Sequence, residues 1–417
     1  MFLYGLQFLL DLRNNKKTIL IKTPQLRGFF IFERMRRLSI IIFILFLLQG
    51  CFLRQNPVNR ALNQDKFLRD VIKEKDKYEI QILYTEVFNN NFGKTEFLDF
   101  DYGLNDNKYF YPASTIKLPI AIMVLSKINE LRASGSKISL TSKIKVSLNN
   151  EKDFIIKDSI TSFQNLIADV FLVSDNSASN VLIDFIGYNY FNSTMSKAGF
   201  QDTYLNHKFN PDPFIDLQWE IRTLDNDLIS SNEDRENVKS KSNISNLKKG
   251  KKIFVDGEIL DHSLDFTSKN RSSLTDLHNI IKNIIYPEIT LSKFNLNVED
   301  YDFLRYWMSR FTYEDLGNKY IGDNKYFNSY NKFFIHGTDT VLKKSNVRVY
   351  NKIGQAYGTS TDNAYIKNYS KDVEFFLTAT IYTNENEIIN DNIYEYDDIA
   401  IPFLSKLSLA LYKYLID

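Results

Sequence analysis

The sequence predicts an α+β fold, an α/β sandwich in which an antiparallel sheet of N- and C-terminal strands carries helices on its faces, beside a mostly helical subdomain. Two observations predict it. Segments with the two-residue period of a strand lie towards both ends of the chain, at 78–102 and 347–383. Between them, apolar residues recur at helical spacing in long runs. No internal repeat is visible, so a repeat array is excluded.

The elements follow in order. Residues 54–77 are polar and charged, with Leu62, Phe67, Val71 and Ile72 at helical spacing, and read as a tether leading into a first helix. Residues 78–87 (YEIQILYTEV) alternate and are β-branched, and 95–102 read as their hairpin partner across Asn89-Asn90-Asn91-Phe92-Gly93. Residues 116–131 form a strongly apolar helix, and 159–186 two more helical segments around Val173-Ser174-Asp175-Asn176. The stretch 212–270 is dominated by Asn, Ser, Lys and Asp and reads as an insertion holding one hairpin near Lys252-Ile253-Phe254-Val255. Helices are predicted at 273–285 and 298–311, strands at 347–353, 363–369 and 373–383, and a closing amphipathic helix at 399–415.

Composition narrows the function. A chain of 417 residues, 44% hydrophobic and 25% charged, can bury a substantial core. A net charge of +1 gives no electrostatic footprint for nucleic acid. The single cysteine, Cys51, cannot form a disulfide within the chain. The four histidines, His207, His262, His278 and His336, are too scattered for a structural zinc site, so neither metal nor cofactor is expected.

The N-terminus has signal-peptide order. Arg36 and Arg37 precede an apolar run, SIIIFILFLL at 39–48, which is shorter than the roughly 20 residues a spanning helix needs. The run ends Leu48-Gln49-Gly50-Cys51. That resembles a bacterial lipoprotein signal, which implies cleavage before Cys51 and a lipid on its thiol; an uncleaved membrane anchor is the other reading. Met35 is an alternative start. The expected organisation is a leader at 1–51, a tether and first helix at 52–77, and a catalytic domain at 78–417 carrying the insertion. The expected location is the bacterial cell envelope, on the periplasmic face or the cell surface, with the membrane reached through the lipid.

Three short motifs carry the chemistry. Ser114 and Lys117, in YPASTIK, lie three residues apart at the start of the apolar helix and so share a face. A serine hydroxyl needs a neighbouring base, and a buried lysine can serve because desolvation lowers its pKa. Ser174-Asp175-Asn176 follows, and then Lys352-Ile353-Gly354 on a predicted strand, with Gln355 next. Each motif alone has an ordinary explanation: a helix cap, a turn, a solvated lysine. Together and in this order they resemble the S-x-x-K, S-D-N and K-T-G signature of class A β-lactamases and penicillin-binding proteins.

The resemblance implies an exported serine acyl-hydrolase acting on a β-lactam or a related amide or ester. In it Ser114 is acylated, Lys117 is its base, and Ser174 relays protons to the leaving group. Asn176 and Lys352 hold the substrate, Gly354 completes the third motif, and the backbone N–H groups of Ser114 and Gln355 form an oxyanion hole. Ser114, Ser174 and Lys352 are expected to converge in one cleft, with Lys117 within hydrogen-bond reach of Ser114. The expected partners are a small-molecule or peptidoglycan-derived substrate and the membrane. Two departures stand out. Ile353 replaces the hydroxyl residue of K-T-G and cannot donate a hydrogen bond. The stretch 199–209 (GFQDTYLNHKF) lacks the glutamate that class A enzymes use in deacylation, with Asp202 and His207 as substitutes. These departures keep two alternatives open: a penicillin-binding D-amino-acid peptidase of the cell wall, and a catalytically weak surface-binding lipoprotein.

Overall fold

The computed structural model describes residues 56–149, 159–210, 218–230, 244–314, 317, 319–339 and 346–416. The leader and Cys51 lie outside the described residues.

Two short helices, α1 (Pro57–Gln64) and α2 (Lys66–Lys73), come first, capped by the Asn56 and Asp65 side chains. The hairpin β1 (Gln81–Asn89) and β2 (Thr95–Tyr102) leads to a 3₁₀ turn at Ala113–Ile116 and the long helix α3 (Lys117–Ala133). Then come β3 (Lys143–Asn149), β4 (Ser159–Ser162), α4 (Phe163–Leu172), α5 (Asn176–Ile186), α6 (Tyr188–Lys197) and β5 (Gln218–Thr223). Short strands β6 (Lys248–Lys249), β7 (Lys252–Val255), β8 (Glu258–Leu260) and β9 (Leu264–Asp265) precede α7 (Leu274–Ile285) and α8 (Val298–Met308). The chain closes with β10 (Val347–Ala356), β11 (Thr359–Asn368), β12 (Val373–Tyr382), β13 (Ile388–Ile389) and α9 (Ile401–Ile416).

The fold is α+β. The main sheet runs β10-β11-β12-β1-β2 and is antiparallel throughout, so the C-terminal strands join the N-terminal hairpin where β12 pairs with β1. Alternate residues of β12 serve two cores. Phe375, Leu377, Ala379 and Ile381 pack with Val58 and Leu62 of α1 and Phe403, Leu404 and Leu407 of α9. Phe376 faces the opposite way, into a second core built around α3. That helix is apolar all round, from Leu118 through Val124 to Ile128, and is buried on every side accordingly.

Two features depart from expectation. β10 and β11 are longer than the predicted 347–353 and 363–369. They are joined by a two-residue hairpin whose Tyr357 (φ 51°) and Gly358 (φ 82°) are both left-handed. The small residues of GQAYGTS hid the strand alternation. A second sheet, β4-β3-β5, was not predicted. Its strand β5 lies within 212–270 yet pairs along β3, while β7 and β8 form the hairpin expected near residue 252.

Candidate active site

Ser114 sits on the 3₁₀ turn that opens α3, and Lys117 is the first residue of the helix proper. The edge strand β10 runs directly against this turn. A Cβ at Gly354 would lie 2.4 Å from the Pro112 carbonyl oxygen, 2.9 Å from Thr115 N and 3.0 Å from Ser114 N. Only glycine lets the sheet edge approach the Ser114 backbone so closely. The turn is strained on entry, since Ala113 has φ 47°.

Ser174, also left-handed at φ 57°, follows α4 and turns the chain into α5, whose cap is Asp175. Its hydroxyl oxygen accepts from Lys352 Nζ at 2.9 Å and lies 3.5 Å from Lys117 Nζ. Lys117 is fully buried. Its ammonium donates to the Ser174 carbonyl and to Asn176 Oδ1, both at 2.6 Å. Lys117, Ser174, Asn176 and Lys352 are thus joined by hydrogen bonds, and Gly354 packs Ser114 beside them. The expected Ser114–Lys117 hydrogen bond is not formed: among the described residues the Ser114 hydroxyl has no partner. A buried ammonium with three donors is better satisfied by two carbonyl-type acceptors than by one hydroxyl. Gln355 follows on the same edge strand, its side-chain amide donating to Ser360 Oγ at 3.1 Å.

Burial sets the electrostatics. Desolvation, reinforced by the nearby Lys352 charge, holds the Lys117 pKa well below the ordinary lysine range. Desolvation likewise brings Lys352 down to about 7, with Asp362 opposing the shift. Behind β10 lies a polar layer that no motif or spacing singled out. Lys332, fully buried and lowered to about 7 by desolvation, donates to Asn351 Oδ1 at 2.6 Å, and Asn351 donates to Asp362 at 2.8 Å.

The two departures from the signature resolve differently. Ile353 is buried in the core between the sheet and α9, with Val349 and Ala364. A hydroxyl there would enter an apolar layer. The stretch 199–209 brings Phe209 to the lysine, its ring centroid 4.6 Å from Lys117 Nζ. Asn180 fixes it by accepting from Phe209 N at 2.8 Å. Asp202 is paired with Arg271 at 2.8 Å. His207 donates through Nδ1 to the Lys208 carbonyl at 2.6 Å and stacks on Tyr111, 6.2 Å between centroids. Tyr111 also meets Phe266 and Tyr357, giving an aromatic wall three residues before Ser114. Among the described residues no group of three or more His, Cys, Asp and Glu side chains could hold a metal ion.

A family model described as the β-lactamase enzyme family matches residues 64–415, nearly the whole described region. The chain belongs to the β-lactamase enzyme family. This places it in the β-lactamase-like serine hydrolase superfamily. No protein of curated function matches it. Solved structures similar to it include a β-lactamase from Sphaerobacter thermophilus DSM 20745, 14% identical, TM-score 0.49, covering 87% of this chain and 98% of that one. A representative of class A β-lactamase from Bacteroides cellulosilyticus DSM 14838 is 13% identical, TM-score 0.46, covering 86% and 98%. A single-residue mutant of PBP-A, solved as an acyl-enzyme complex with penicillin G, is 14% identical, TM-score 0.48, covering 86% and 97%.

Proposed function

We propose that this β-lactamase family member is a serine acyl-hydrolase that forms a long-lived acyl-enzyme at Ser114. The observation that carries the proposal is the convergence of Ser174 with two buried lysines, Lys117 and Lys352, whose pKa values burial depresses. Lys117, in the neutral form that its burial favours over the ammonium, accepts the Ser114 proton as Oγ attacks the acyl carbonyl carbon. The oxyanion falls to the backbone N–H groups of Ser114 and Gln355, in a site where such donors are worth about 10²–10³ in rate. As the tetrahedral intermediate collapses, the leaving nitrogen takes a proton through Ser174, which lies between the two lysines. Lys352, when protonated, attracts a substrate carboxylate.

Deacylation needs a water and a base. The side chain that reaches Lys117 from 199–209 is an apolar ring, which supports slow release of the acyl group. This favours, as a second reading, a penicillin-binding peptidase acting on D-amino-acid peptides of the cell wall. We also propose export and lipid attachment at Cys51, on the strength of the short apolar run and Leu48-Gln49-Gly50-Cys51. If this holds, Cys51→Ala releases the protein from the membrane fraction.

The deciding experiment is incubation with a fluorescent penicillin followed by peptide mass spectrometry. Labelling at Ser114, lost in both Ser114→Ala and Lys117→Met, supports the reading. Labelling elsewhere, or none on folded protein, refutes it.

A further inference from the structure

Lys352 and Asn351 are neighbours on β10 and so point to opposite faces of the sheet. Lys352 turns to the Ser114 site, where its ammonium donates to Ser174 Oγ at 2.9 Å and to the Ile353 carbonyl at 3.0 Å. Neither acceptor is charged. Asn351 turns to the other face, and Asp362 joins it there, since Asp362 pairs with Ile353 across the β10–β11 ladder. The Asn351 amide bridges two charges. Its Oδ1 accepts from Lys332 Nζ at 2.6 Å, and its Nδ2 donates to Asp362 Oδ1 at 2.8 Å. The amide cannot turn over without setting donor against donor at one end and acceptor against acceptor at the other. Lys332 also donates to the Met308 carbonyl at 2.8 Å. Asp362 accepts from the backbone N–H groups of Phe333, Phe334 and Asn363 at 3.1, 2.9 and 2.9 Å.

Lys332, Lys352 and Asp362 are at most 2% exposed, and among the described residues no other carboxylate is wholly buried. Charges in such an interior are weakly screened and act across the thickness of one strand. Burial disfavours the proton on Lys352 most, bringing it to about 7; Asp362 favours that proton and Lys332 disfavours it. Burial also brings Lys332 to about 7, with Asp362 and Glu314 opposing and Arg348 adding to the shift. Of the remaining charges, Glu314 is held through both oxygens by Arg348 at 2.8 Å. Lys117, which faces Lys352 from α3, is itself driven towards the neutral form by burial, with Asp175 opposing.

We propose that Lys332, Asn351 and Asp362 are positioning residues for the Ser114 site: without touching substrate, they decide through the β10 strand whether Lys352 carries its proton, and so whether the site prefers carboxylate-bearing acyl donors. The donor preference rests on the function proposed above; the control of Lys352 does not. Asp362 is the anion that holds the proton, Lys332 the cation that opposes it, and Asn351 the bridge that fixes both.

The test is the titration of Lys352 in the full chain in detergent, followed by NMR of isotope-labelled lysine, with Lys352→Gln identifying its resonance. Lys332→Met removes the cation and leaves Asp362 all its hydrogen-bond donors, so the Lys352 midpoint should rise by about one pH unit. Asp362→Asn removes the anion and should lower the midpoint. Lys332→Arg keeps the charge and should leave the midpoint unchanged. The ratio of acylation rate constants for a carboxylate-bearing and an uncharged donor should move along the pH axis with the resonance. Mere loosening of the strand would move both neutral variants the same way. An unmoved midpoint in folded Lys332→Met overturns the inference, as does a shift of one sign in Lys332→Met and Asp362→Asn. If Asp362→Asn fails to fold, Lys332→Met and Lys332→Arg decide. A shifted resonance with an unshifted donor ratio overturns the role in selectivity. The resonance is read in free protein, so a failure of Ser114 to acylate would sink the proposed function and leave this inference to stand or fall on the midpoint.

Discussion

The approach of β10 to the Ser114 turn can be tested by one methyl group. In Gly354→Ala the new Cβ would meet the Pro112 carbonyl oxygen at 2.4 Å, with Thr115 N and Ser114 N at 2.9 and 3.0 Å. All three are backbone atoms and cannot swing away. Favourable contacts of this kind lie near 3.5 Å, so the turn and the strand must part by about 1 Å. Overpacking on this scale costs about 1–3 kcal/mol of stability. A misplacement of about 1 Å at a reacting group costs about 10²-fold in rate, or 2.7 kcal/mol of barrier. The acylation rate constant with a fluorescent penicillin should therefore fall about 10²-fold in folded Gly354→Ala. Gly103→Ala is the control. There a Cβ would meet the Ile80 carbonyl oxygen at 2.5 Å, in a left-handed position at the end of β2. It should lower the melting temperature without slowing acylation. Wild-type labelling by folded Gly354→Ala, or an equal loss in Gly103→Ala, would refute the argument that this contact aims Ser114.

Three further outcomes follow from the same geometry. The Lys352 pKa lies near 7, below its ordinary 10.5, so the free protein loses this positive charge as pH rises through neutrality. The ratio of kcat/KM for a carboxylate-bearing acyl donor to that for an uncharged one should fall across that range; a flat ratio would mean Lys352 does not bind the carboxylate. Phe209→Glu puts a carboxylate where an aromatic ring now covers Lys117, and should shorten the acyl-enzyme lifetime at least tenfold at some expense of stability. An unchanged lifetime in the folded variant would locate the block elsewhere. Ile353→Thr, which buries a hydroxyl in the core under α9, should lower stability by about 1–3 kcal/mol and leave acylation by carboxylate-bearing donors no faster. A faster reaction would show that the side chain reaches the substrate.

Much of the fold was legible because hydrophobic periodicity is a local signal. The terminal strands alternate, the helix after Ser114 is apolar all round, and the order of elements leaves few ways to close one sheet. The sheet β4-β3-β5 goes unread in the sequence because its strands are short and carry few apolar residues among charged and polar ones, as in KIKVSLN and QWEIRT, and those few (Ile144, Val146 and Ile221) are buried against the helical core. At the candidate site, residues with distinctive chemistry could be picked out through the resemblance that the three motifs carry together: Ser114, Lys117, Ser174, Asn176, Lys352 and Gly354. Those acting by position could not. Phe209 looks like any core aromatic until its backbone is seen bound to Asn180, and Lys332 and Asp362 look like surface charges until both are buried. The burial of Ile353 in the core under α9 is hidden in the sequence for the same reason, since a one-residue alternation decides which face of β10 a side chain occupies.

Two of the strained backbone positions scattered along the described chain lie where these elements converge. Ala113 and Ser174 are non-glycine residues in the left-handed region, a conformation that costs about 1–2 kcal/mol per residue. Glycine at either position would relieve the strain. Ala113 immediately precedes Ser114 on its turn. Ser174 turns its carbonyl to Lys117 while its hydroxyl accepts from Lys352. A relaxed conformation at Ser174 would move both oxygen atoms away from the lysines. The buried ammonium of Lys117 would then lose one of its two short acceptors, at about 1–3 kcal/mol, comparable to the strain itself. Strain at Ser174 and desolvation at Lys117 are therefore offset by the same hydrogen bond. That coupling joins the Ser174 turn to the helix carrying Ser114, across the sixty residues of sequence between them.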